Sequence, residues 1–211
     1  MSLRIHFARH GESHANLLGE ISNRGLKHGL TRLGRQQAKA IANRFQGHAI
    51  TRIYSSPLLR AIETSVILAA ELEVEYEISE ALREFDCGIM EGRSDSIAWG
   101  AWQGLFDAWK EPSRRGERIE NGESFYDVQA RFEPFITELM RRHDNDDEVI
   151  CISHGGLYMQ MLPVVLKNID MVFLSHTGFG NTDHLTAELR PEGLIAVEWN
   201  GQSLELGSLN N

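Results

Sequence analysis

Leu3-Arg4-Ile5-His6-Phe7-Ala8 runs directly into Arg9-His10-Gly11-Glu12. The first six residues form a short, largely apolar run of strand length, and the glycine lets the backbone turn sharply where such a strand ends. The strand thereby delivers an arginine and a histidine together. Arginine offers a planar fork of donors suited to phosphate oxygens. Neutral histidine offers a nitrogen lone pair able to attack phosphorus. The stretch predicts a strand whose carboxyl end holds and attacks a phosphoryl group, provided the rest of the chain supplies the companions.

Working outward, apolar strands alternate with amphipathic helices, which is the pattern of an α/β fold with a mostly parallel sheet. Thr31 reads as an N-cap, followed by Ala38, Ile41, Ala42 and Phe45 on one helical face. Ile50 to Tyr54 is a second strand. Ser56-Pro57 then reads as N-cap and first helical residue, with Leu59, Ile62, Val66 and Ala69 as the apolar stripe. A third strand is expected near Val74 to Ile78. Ser124, with Asp127 three residues on, opens a long helix striped by Phe125, Val128, Phe132, Phe135 and Leu139. Glu148 to Ile152 is a buried strand. Leu185 to Leu189 and Ile195 to Trp199 alternate like strands about the turn Arg190-Pro191-Glu192-Gly193.

Composition bounds the function. The chain has 211 residues, 42% apolar and 24% charged, as expected of one globular domain. Its net charge of −9 argues against a general nucleic-acid surface. The absence of a long apolar run and of a signal-like N-terminus predicts a cytoplasmic protein with no membrane span. Cys87 and Cys151 make neither a disulfide framework nor a zinc pattern. Nothing in the sequence sets the oligomeric state.

Each candidate polar residue falls just past a strand: His10 after the first, Arg60 after the second, Glu84 after the third and His154 after the fourth. In open parallel sheets such positions share one edge, where ligands bind. Between about 88 and 121 the rhythm breaks. Trp99, Trp102, Phe106 and Trp109 recur there at helical spacing, as in an inserted, cap-like helical segment that packs an aromatic face and can also lie over the site.

These motifs resemble those of the histidine phosphatase superfamily, the phosphoglycerate-mutase-like enzymes. The matches are Arg9-His10-Gly11-Glu12-Ser13 with Asn16, Leu30-Thr31-Arg32-Leu33-Gly34, and Tyr54-Ser55-Ser56-Pro57 through Arg60-Ala61 with Thr64. They continue with Leu82-Arg83-Glu84, Gly122-Glu123-Ser124 and Ser153-His154-Gly155-Gly156, while Asn181-Thr182 resembles a weaker late element. The resemblance implies a three-layer α/β/α fold, a phosphorylated nucleophile at His10 and a proton donor at Glu84. It also implies a phosphate pocket of Arg9, Arg60 and His154, with Asn16 and Asn181 as further substrate contacts.

The implied activity is hydrolysis of small phosphomonoesters through phosphohistidine, with no cofactor and no metal. A phosphoglycerate mutase is the nearest alternative; the modest, tryptophan-rich insert favours hydrolysis over transfer. Two other classes compete. A metal hydrolase would use His10-Gly11-Glu12-Ser13-His14, but Gly11 directly after a strand disfavours the helix which that spacing requires. A phosphoprotein-binding pseudoenzyme would need neither a nucleophile nor an acid.

Overall fold

The computed structural model describes residues 2–204. Seven strands form one sheet in the order β3-β2-β4-β1-β5-β6-β7. Strands β1 (Arg4–Arg9), β2 (Ile50–Ser55), β3 (Tyr76–Ile78) and β4 (Glu148–Ser153) run parallel. Strands β5 (His184–Arg190), β6 (Gly193–Trp199) and β7 (Gln202–Ser203) complete it antiparallel.

Alternating side chains divide the core between the two faces. Ala8, Ile53, Ile150 and Ile152 face helices α2 (Arg32–Arg44) and α3 (Leu59–Leu72), meeting Ile41, Phe45, Ala61 and Leu68. Ile5, Phe7, Val149 and Cys151 face the opposite way, into a larger core with α5 (Phe125–Arg142) and α6 (Gly155–Val165). The result is the three-layer α/β/α arrangement with a mostly parallel centre.

Thr31 caps α2 by accepting from the Gly34 N–H, and Ser124 with Asp127 forms a capping box on α5, both as the residue pattern predicts. The α5 stripe differs at one position. Ile136 is buried, while Phe135 is half-buried and packs edge-on against Tyr54. Helix α3 departs further. Its N-cap is Leu58, not Ser56, and its buried positions are Arg60, Ala61, Thr64, Ser65 and Leu68, leaving Val66 exposed. The cause lies in the first turn: Arg60 points inward, and Thr64 and Leu68 follow at i+4 and i+8. A polar requirement thus sets the helix's rotation, and hydropathy alone misplaces the stripe.

Close backbone approach anchors the loop after β1. A Cβ on Gly11 would stand 2.4 Å from the Gly34 carbonyl oxygen, and one on Gly34 would stand 1.9 Å from that of Glu12. Both glycines let α2 press against the turn that carries His10. Helix α4 (Ser96–Ala108) lies within the aromatic segment, and Asp95 caps it through the N–H groups of Ile97 and Ala98. No helix among the described residues is long and apolar enough to cross a membrane.

Candidate active site

Because β1 and β4 are adjacent and parallel, their carboxyl ends present His10 and His154 side by side. The His10 N–H donates to the Ser153 carbonyl at 3.0 Å, and the two imidazole centroids are 5.0 Å apart. Arg60 arrives from the first turn of α3, beyond β2. Glu84 arrives from the loop beyond β3, so the four expected positions share one edge of the sheet. All of them, with Arg9, line a cleft of about 560 Å³.

The imidazole of His10 is buried and held at both nitrogens. Its Nδ1 lies 2.7 Å from the Gly11 carbonyl oxygen, and its Nε2 lies 3.0 Å from Arg60 Nε. A carbonyl can only accept and a guanidinium can only donate, so one tautomer satisfies both contacts. Nδ1 carries the proton, and the lone pair is on Nε2. Burial first, then the charges of Arg60 and Arg9, push the His10 pKa well below its usual value, so the ring is neutral.

The surrounding groups are held by backbone. Arg60 donates to the Ser22 carbonyl at 2.7 Å, and Arg9 donates to that of Phe179 at 2.7 Å. Arg9 Nε is buried without a protein partner. The Nε2 of His154 meets the Ser56 hydroxyl at 2.7 Å, while its Nδ1 is likewise unpartnered. Burial and the neighbouring charges of Arg60 and Arg9 keep His154 neutral as well. The buried guanidinium of Arg60, the half-buried one of Arg9 and the unpartnered Arg9 Nε and His154 Nδ1 leave a strong demand for an anion.

Glu84 is nearly enclosed, at 8% exposure. Its carboxylate accepts from the N–H groups of Phe85 (3.1 Å) and Gly156 (3.0 Å), the latter in the first turn of α6. Desolvation outweighs these bonds and the arginines, and it raises the Glu84 pKa. A Cβ at Gly156 would come within 2.8 Å of the carboxylate, so glycine is needed there to seat it.

Asn16 lines the cleft, with its Oδ1 occupied by the Ser13 N–H at 3.0 Å, which leaves its amide N–H groups for a ligand. Asn181 instead donates to the His10 carbonyl at 3.0 Å, holding the backbone of the nucleophile candidate. His14 is exposed, at the start of the short helix α1 (His14–Leu18), and lines a different depression from His10. The pair does not converge as the metal-hydrolase motif requires.

Residues 5–202 match the family model described as the histidine phosphatase superfamily, branch 1. The chain belongs to that superfamily. A rat 6-phosphofructo-2-kinase/fructose-2,6-bisphosphatase 1 is 34% identical over 164 residues, or 77% of this chain and 32% of the relative. The chain therefore spans about a third of the length of that relative. Phosphoserine phosphatase 1 of Hydrogenobacter thermophilus is 25% identical over 94% of this chain and 92% of its own. Among solved structures, a mycobacterial glucosyl-3-phosphoglycerate phosphatase superposes with a TM-score of 0.77 at 25% identity, covering 96% of this chain and 99% of that one.

Within this histidine phosphatase fold, three contributors escaped the sequence reading. Ser56 reads as a helix cap, and its hydroxyl does accept from the Leu58 N–H at 3.3 Å, but it also meets His154 Nε2 at 2.7 Å. The carbonyls of Ser22 and Phe179 orient the two arginines, and backbone acceptors leave no residue-type signal. His184 lines no part of the cleft and sits on the α2 face of the sheet beside Phe45.

Proposed function

We propose that this chain is a metal-independent phosphomonoesterase that acts on small phosphorylated metabolites through a phosphohistidine at His10. The observation that carries the reading is the fixed tautomer: the Gly11 carbonyl accepts from Nδ1–H, which leaves the Nε2 lone pair within the arginine pocket. An incoming phosphate competes for Arg60, whose Nε then turns from Nε2 to a phosphate oxygen and uncovers the nucleophile. Arg9, Arg60 and the N–H groups of Asn16 bind the remaining oxygens. With the Ser56 hydroxyl donating to His154 Nε2, Nδ1 of that ring carries its proton toward the phosphate.

In the first step a bond forms between Nε2 and phosphorus while the ester P–O bond breaks, and Glu84 passes its proton to the departing alkoxide. In the second, Glu84 takes a proton from water as that water displaces the imidazole, releasing inorganic phosphate. Positioned charge does most of the work in such transfers, and the two guanidiniums supply it. The test is a neutral-pH quench with phosphorus-labelled ester in the presence of EDTA. Acid-labile label on His10 is expected; label on another residue, or turnover that EDTA abolishes and a divalent metal restores, overturns the reading.

A further inference from the structure

The floor of the cleft is cationic, but its walls are not. Arg9 and Arg60 are the only lysine or arginine side chains lining it among the described residues, and both belong to the phosphate-holding floor. The walls do carry two carboxylates, Glu20 and Asp183. Lys27 lies beside Glu20 as its ion-pair partner, at 2.5 Å, and lines no part of the cleft.

The rest of the wall combines uncharged polar side chains, among them Asn16, Asn23 and Thr177, with an apolar part in which Trp99 is the most accessible large ring. Trp102 is stacked against Phe85 on one side and Phe106 on the other, with interplanar angles of 22° and 19°, so its faces are occupied. Trp99 meets Trp102 at 61°, is 39% exposed, and is fixed by its indole N–H, which donates to the Gly19 carbonyl at 2.7 Å. A rigid, exposed indole beside a phosphate pocket is a surface for a flat or apolar group.

Resting on the phosphatase reading, we infer that the alcohol released here bears no second anion and carries a ring or other flat apolar portion that lies on Trp99. A carboxylate or second phosphate on the alcohol would give up its water facing Glu20 and Asp183, and the ammonium beside that wall, Lys27, is already engaged by Glu20. A ring against Trp99 gains contact without that penalty.

Three alkyl esters with similarly poor leaving groups separate the terms: 2-phenylethyl phosphate, propyl phosphate and the phosphate ester of 3-hydroxypropanoate. Values of kcat/KM should fall in that order, with at least a tenfold span from first to last. Trp99→Ala should reduce the phenylethyl-to-propyl ratio severalfold, chiefly through KM, and Trp99→Phe should restore most of it. The phenylalanine also lacks the bond to Gly19, so its recovery separates the ring from the tether. Labelled His10 from propyl phosphate, together with equal or better turnover of the carboxylate ester, overturns this inference alone. Loss of the ring preference in Trp99→Phe as complete as in Trp99→Ala also overturns it. Failure of every ester to label His10 overturns the phosphatase reading along with it.

Discussion

Two histidine clusters are centred on His6, within β1, and on His10, just past its end, and they are built to opposite ends. His6, beneath the end of α2, places Nε2 2.8 Å from Glu148 and Nδ1 3.0 Å from the Thr186 hydroxyl, and His48 shares the same carboxylate at 2.8 Å. His10, at the strand's carboxyl end, faces Arg60 and Arg9 instead. Burial lowers the pKa in both places. Around His6, Glu148 opposes that shift; around His10, two cations add to it. A buried histidine is therefore no sign of function by itself. What marks the second cluster is a surplus of donors: Arg9 Nε and His154 Nδ1 are enclosed and unpaired. The first is not perfectly closed either, since His184 Nδ1 beside it also lacks a partner, but its His6 and His48 are bonded directly to a carboxylate, whereas His10 and His154 are not.

The comparison breaks most readily at His10. His10→Ala should lower kcat/KM by roughly 10³-fold or more while the circular dichroism spectrum is retained. Near-normal turnover in the folded variant would exclude a nucleophile here.

Glu84→Gln should cost roughly 10²–10³-fold with alkyl esters and much less with an activated aryl ester. The sign of its pH effect follows from the direction of the shift. Burial raises the Glu84 pKa, so the acid form needed for the first step persists above the usual carboxylate range and is lost as pH rises through the raised value. The alkaline fall in wild-type kcat/KM should therefore flatten in Glu84→Gln; an unchanged limb would remove Glu84 from the proton-donor role.

The smallest effect belongs to the other cluster. Glu148→Gln should leave kcat within about twofold and lower stability by about 1–3 kcal/mol in urea titrations at pH 7, because the charge-assisted bonds that one carboxylate makes to His6 and His48 are lost. The two histidines hold the Glu148 pKa down to about 2 from 4.5. Its contribution is complete above the unfolded value and disappears as pH falls from about 4.5 towards about 2, so wild type and variant should converge in acid. A large loss of turnover with unchanged stability would erase the distinction between the clusters.

Much of this was legible in the residues. Thr31, Ser124 and Asp127 marked their helix starts because capping is a local bond between near neighbours. The four loops carrying His10, Arg60, Glu84 and His154 could be expected together because parallel strands present their carboxyl ends along one edge. The α3 stripe was misread because the helix is rotated by Arg60, whose partners His10 and Ser22 lie 50 and 38 residues away. Ser56 was misread for the same reason, its partner being 98 residues distant.

By itself the sequence determined the alternation of strands and helices, the family and the chemical kinds of group at the strand ends, since these follow from local periodicity and residue type. Only the tertiary structure decided which nitrogen of His10 is free, which backbone carbonyls aim the arginines, and that one buried histidine is bonded to a carboxylate while the histidine just past its strand faces cations. Those outcomes depend on distances between segments far apart in the chain, and hydrogen bonding and desolvation are fixed only once the segments meet.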